Sequence, residues 1–205
     1  MKKIILLLLL LAVNYNSFAV SKEDKERESS YLLQIKNEND SDAMFDLGLL
    51  YDEQEKYDLA EKYYLMAVKY NNGSAMTNLG LIYENQKKYD LAEKYYLMAV
   101  EEESDTGMYN LGLLYDNQKK YTLAEKYYLM AIQNNYSDAM YNLALLYDNQ
   151  EKFSLAEKYY LMAIKENDSD AMYNLGLIYD NQKKYPLAEK YYLMAVEAND
   201  SDAAF

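Results

Sequence analysis

A chain of 205 residues is long enough for one ordinary domain, and with 51% hydrophobic residues, 26 tyrosines and a single proline it has the material for a packed core, which excludes disorder. Cysteine and histidine are both absent, which removes thiolate nucleophiles, Ser-His-Asp triads, disulfides and the usual zinc sites, and no cofactor is expected. The formal charge is −13 and the lysines alternate with carboxylates, so no basic stripe is present to release counterions and nucleic acid is not expected as a partner.

Residues 1–19 follow the plan of a signal peptide: Lys2 and Lys3, an apolar run from Ile4 to Val13, then Ser17-Phe18-Ala19 with cleavage expected after Ala19. That run is too short for a stable membrane anchor, which needs ~20 apolar residues. The mature chain is therefore expected in an exported compartment, the bacterial periplasm or the extracellular space. Residues 20–42 open with a charged run and pass into Tyr31-Leu32-Leu33-Gln34-Ile35, the pattern of a helix exposed early and packed late. The stretch IKNENDSDA at 35–43 differs from IKENDSDA at 164–171 by one inserted residue, so 21–38 reads as a degenerate half-repeat serving as an N-terminal capping helix.

From Ala43 the chain repeats. LAEKYYLMA recurs unchanged at Leu59, Leu91, Leu123, Leu155 and Leu187, a period of 32 residues, which divides 43–202 into 43–74, 75–106, 107–138, 139–170 and 171–202. Within each unit two helices are predicted. Met140, Leu143, Ala144 and Tyr147 mark one face of the first, capped by Ser137 or Asp138 and ending near Asn149, an asparagine suited to the left-handed conformation. Asp58, Asp90, Thr122 and Ser154 each precede a glutamate by three residues, a capping box for the second helix, and Pro186 replaces them in the last unit. Tyr57, Ala60, Tyr64, Ala67 and Val68 form a core face there, widened by Leu59, Tyr63, Leu65 and Met66 until cover from several sides is needed. Ala203-Ala204-Phe205 matches the start of a sixth unit, so the last second helix is expected to be uncapped.

The spacing of Leu47-Gly48, Tyr51, Ala60, Tyr64 and Ala67 resembles the tetratricopeptide repeat, a helix-turn-helix unit of roughly 34 residues. The shorter turn between units and the wording NLGLIY and DAMYNLG are similar to the Sel1-like repeat, although the longer glycine-containing turn of that relative is missing at Asn181-Gln182-Lys183-Lys184-Tyr185. The resemblance implies an all-α, right-handed α-solenoid of five 32-residue repeats that acts as a non-enzymatic scaffold for a protein or peptide, bound on a concave face lined by the first helices.

On that helix Tyr109 and Asp116, Tyr141 and Asp148, and Tyr173 and Asp180 share a face with Leu113, Leu145 and Leu177, and Asn110, Asn142 and Asn174 recur beside them. Two readings compete. The stripes form a groove for an extended segment carrying Lys or Arg, held by the asparagine amides, or the tyrosines and leucines pack against the neighbouring first helix. Lysines do not stand at matching places, so the carboxylate clamp of some tetratricopeptide proteins is not carried over. Asn-Asp-Ser-Asp at 167–170 suits helix capping better than calcium, because the loop lacks the glycine and distal glutamate of an EF-hand. Near-identical units with an uncapped end also admit a self-assembling structural protein of the cell envelope.

Overall fold

The computed structural model describes residues 21–202; the expected signal peptide 1–19 and the closing 203–205 lie outside the described residues. Every described element is a helix: α1 Lys22–Glu38, α2 Ser41–Glu53, α3 Tyr57–Val68, α4 Gly73–Asn85, α5 Tyr89–Glu101, α6 Asp105–Asn117, α7 Tyr121–Gln133, α8 Asp138–Asn149, α9 Phe153–Lys165, α10 Ser169–Asn181 and α11 Tyr185–Asp202. From α2 onward they pair as α2/α3, α4/α5, α6/α7, α8/α9 and α10/α11. Contact is densest within a pair, sparser between a second helix and the next first helix, and thinnest between successive first helices. That nearest-neighbour pattern is an α-solenoid.

The core is the seam along which each helix buries its apolar face. Leu47, Leu79, Leu111, Leu143 and Leu175 on the first helices, and Ala60, Ala92, Ala124 and Ala156 on the second, are all fully buried. Beneath them Tyr64, Tyr96, Tyr128 and Tyr160 are fully buried too. The glycine before each of these rings is dictated by close approach: a Cβ on Gly80 would stand 2.3 Å from the Tyr96 ring, and one on Gly112 2.6 Å from Tyr128. The fourth pair carries Ala144 there instead.

Several local expectations are corrected. The second helices begin one residue before Asp58, Asp90, Thr122 and Ser154, at an aromatic whose preceding lysine makes no side-chain cap bond, so these residues lie inside the first turn and no capping box forms. Pro186 likewise falls in the first turn of α11, where a missing donor is tolerated. Glu151, not Asn149, takes the left-handed conformation after α8, at φ 58°, and Glu55, Lys87, Lys119 and Lys183 do so after the other first helices. Each is followed by a lysine whose N–H closes back on the helix, as Lys88 does on the Tyr83 carbonyl at 2.8 Å.

The broad apolar arc of the second helix is not covered all round. Tyr57 is 55% exposed, and Leu59 and its four counterparts stay partly in solvent. On α1 the packed residues are Tyr31 and Ile35, while Leu32 and Leu33 face outward and no residue is fully buried. One joint nevertheless repeats along the whole array. Tyr83 donates to Glu61 at 2.6 Å, Tyr115 to Glu93 at 2.8 Å and Tyr179 to Glu157 at 2.7 Å, each glutamate belonging to the preceding second helix. At the first joint Tyr51 donates in the same way to Glu28 of α1 at 2.7 Å.

Candidate functional site

The first helices α2, α4, α6, α8 and α10 lie side by side and present one continuous face. Between α2 and α4 it is indented by a cleft of about 490 Å³, whose lining includes Asp52, Tyr57, Asn78, Leu81, Asn85 and Gln86. The same six residue types return two units later as Asp116, Tyr121, Asn142, Leu145, Asn149 and Gln150. One unit further on they are Asp148, Phe153, Asn174, Leu177, Asn181 and Gln182. The cleft combines a carboxylate, an aromatic ring, a leucine and three side-chain amides, and the later units keep these side-chain classes at the matching positions.

Of the residues expected at the site, the structure joins several across the clefts. The Asn142 amide donates to the Tyr109 hydroxyl at 3.0 Å and the Asn174 amide to Tyr141 at 3.1 Å. Tyrosine and asparagine of successive first helices therefore form rungs: these tyrosines meet the neighbouring unit, and the Asn142 amide also donates to the Asp138 carbonyl. Tyr109 and Tyr141 are half-buried, and burial pushes both phenols above their ordinary range. Tyr173, at the end of the ladder, is 52% exposed. Asn110 is half-buried, and Thr77 stands where the later units have tyrosine.

Burial also holds the half-buried carboxyls of Asp116 and Asp148 above the usual range, and that of Asp52 with a further contribution from Glu53. Asp180 is exposed. Among the described residues no lysine forms an ion pair on this face. Ten lysines sit instead over the rings of the tyrosine pairs stacked at the other edge, from Lys56 on Tyr51 at 5.6 Å to Lys126 on Tyr127 at 4.6 Å. The ion pairs among the described residues all involve α1.

Sequence reasoning missed the aromatic at the start of each second helix. Tyr57 was expected in the core, but because the helix begins at that residue its ring points into the cleft, as the exposure of Tyr121 and Phe153, both 43%, also reflects. The invariant place of an aromatic directly after a lysine was the signal. Asn85, Asn117, Asn149 and Asn181 stand two turns beyond the first asparagine of each helix, and the sequence pattern points to Asn149 only as a helix end.

With the geometry in place, the comparisons are informative. The family model of the tetratricopeptide repeat matches residues 45–107 and 141–204, and a second model of the same repeat matches 105–136. The chain belongs to the tetratricopeptide repeat family. Among solved structures it is similar to MamA, with 24% identity and a TM-score of 0.65 over 78% of this chain and 98% of that one. It is similar also to a Sel1 repeat protein from Oxalobacter formigenes, with 23% identity and a TM-score of 0.72 over 86% of this chain and 82% of that one. A third likeness is to YrrB, described as a tetratricopeptide protein with an unusual peptide-binding site, at 18% identity and a TM-score of 0.60 over 82% and 91% of the two chains. At such identities the likeness establishes the fold alone. No curated protein matches its sequence. None of the described helices is long and apolar enough to cross a membrane.

Proposed function

We propose that this tetratricopeptide chain is a non-enzymatic, exported scaffold that binds a protein or peptide segment rich in basic residues along the face of its first helices. The family supports the role in general, since such repeats engage protein and peptide partners. Charge segregation supports the basic partner: carboxylates Asp52, Asp116 and Asp148 are half-buried on this face, while the lysines are held on tyrosine rings elsewhere. That segregation is the observation that carries the reading, because a desolvated carboxylate gains most from a cation brought to it. Direct packing of α4 on α6 and of α6 on α8 supports a concave shape for the face, since the layer whose members touch lies on the inside of a curved stack.

The test is binding of the mature chain to arrays of basic, neutral and acidic peptides. Basic peptides are expected to bind, weakening as salt rises, and the double substitution Asn142→Ala with Asn174→Ala should lower affinity about tenfold, the value of one or two amide hydrogen bonds. Equal retention of acidic peptides, or full affinity in the double variant, would sink the proposal.

Self-association through the C-terminal end is a second reading, favoured by one observation. Leu193 and Val196 of α11 are 57% and 58% exposed, whereas their counterparts Leu161 and Ile164 are half-buried against α10. Light scattering that shows a concentration-independent monomer would remove it.

A further inference from the structure

Tyr64, Tyr96, Tyr128 and Tyr160 lie fully buried under the first-helix face, but their hydroxyls are not treated alike. In the second pair the acid of the first helix is a glutamate, and Tyr96 donates directly to Glu84 at 2.9 Å. In the first pair the neighbouring surface aromatic is Phe45, which has no hydroxyl, so Asn78 turns inward and donates to the Tyr64 oxygen at 3.1 Å. Neither solution is available in the third and fourth pairs. Asp116 and Asp148 are one methylene shorter than Glu84, and Asn142 and Asn174 are held by Tyr109 and Tyr141. The hydroxyls of Tyr128 and Tyr160 are accordingly left buried with no hydrogen-bond partner. A buried hydroxyl without a partner is unfavourable. Each of the two stands opposite a carboxylate that has no cation.

We propose that the gaps between Asp116 and Tyr128 and between Asp148 and Tyr160 each admit the ammonium group of a lysine in the bound segment. The ammonium donates to the carboxylate and to the phenol oxygen, so the carboxylate gains a cation and the buried phenol oxygen gains a donor. Rotation of the half-buried aspartate opens the gap. Lysine is selected over arginine because a compact head with three freely directed donors can serve one carboxylate and one phenol oxygen together, whereas the planar guanidinium fork suits two oxygens of one carboxylate. The two gaps lie on adjacent first helices, roughly 8–10 Å apart by helix packing distances. An extended segment covers that span in about three residues. This assignment rests on the first-helix face being the binding groove.

The test uses the full chain labelled with carbon-13 at the hydroxyl-bearing ring carbon of tyrosine, and an acetylated, amidated alanine peptide carrying two lysines three residues apart. Matching peptides carry arginine or acetyl-lysine. The lysine peptide is expected to shift the Tyr128 and Tyr160 resonances and to bind about tenfold more tightly than the arginine peptide, the effect of a charge-assisted hydrogen bond. Acetyl-lysine should shift neither resonance. Asp116→Glu with Asp148→Glu reproduces the Glu84–Tyr96 arrangement and should fold, close both gaps and abolish the preference for lysine. Unmoved Tyr128 and Tyr160 resonances at millimolar lysine peptide, or a lysine preference that survives in the glutamate variant, would overturn the assignment. If both basic peptides bind equally and depend on Asn142 and Asn174, the gaps are wrong and the groove stands; if none binds, both fail.

Discussion

At the scale of single residues, tyrosine does three different jobs in this chain, and one hydroxyl-deleting substitution separates them. Tyr115 donates to Glu93 across a joint, Tyr64 accepts from Asn78, and Tyr128 has no partner. Tyr115→Phe should lower stability by about 1.5–3 kcal/mol, because it removes a hydrogen bond to a charged group and strands the carboxylate beside an apolar ring. Tyr128→Phe should raise it by about 1 kcal/mol, since an unpaired buried hydroxyl is replaced by nothing of different shape. Urea unfolding of the two variants gives the comparison, and a loss of stability in Tyr128→Phe would mean that its hydroxyl is paired. The difference is not legible in the second helix itself, where LAEKYYLMA is identical in every unit. It arises from one methylene at position 84 against 116 and from a phenylalanine at 45 against tyrosines at 109 and 141.

At the scale of the element, helix existence was read correctly from periodicity while helix ends were not, and the caps show why. Asp, Thr and Ser at 58, 122 and 154 are good N-caps by type, and their glutamates sit at the right interval. Those glutamates are already committed to a tertiary bond, as Glu61 is to Tyr83 and Glu157 to Tyr179. The chain therefore winds one residue earlier and begins each helix at the aromatic, which tertiary packing places in the cleft. The first helices do use side-chain caps: Asn72, Ser104 and Asp168 accept from the backbone N–H three residues on, the last at 2.7 Å from Ala171. Ser137 makes no such bond. Asp168→Ala is thus expected to cost about 1 kcal/mol, and Ser137→Ala and Thr122→Ala to fall within about 0.5 kcal/mol of the parent. Thermal unfolding of the three decides it. A cost at Thr122 equal to that at Asp168 would restore the capping box.

At the scale of the whole molecule, the fold is the most legible feature and the arrangement of side chains on the first-helix face the least. A 32-residue period forces nearest-neighbour stacking whatever the side chains do, whereas the direction of Asn142, outward to a ligand or across to Tyr109, depends on a residue 33 positions away. The same stacking distributes buried phenols along the array, one or two to each pair, and this makes alkaline pH a probe of the whole. Burial pushes the Tyr64 phenol up to about 12 from an ordinary 10.0. It drives Tyr51, Tyr83, Tyr96, Tyr115, Tyr128, Tyr147, Tyr160 and Tyr179 still higher, helped at most of them by a neighbouring carboxylate. The folded chain therefore keeps protons that the unfolded chain releases near pH 10, so stability is full below that pH and falls as pH rises through the folded values. Ionising a joint phenol such as Tyr83, Tyr115 or Tyr179 breaks the hydrogen bond that links two neighbouring pairs, and ionising Tyr128 or Tyr160 puts an uncompensated charge in the core. Helix circular dichroism should then hold through pH 10 and be lost in a single transition above it, with the buried phenols ionising in the same transition by their ultraviolet absorbance. Tyrosinate formation at the buried rings with helix content intact would show that the phenols are reached by solvent, and that the units are not held together through them.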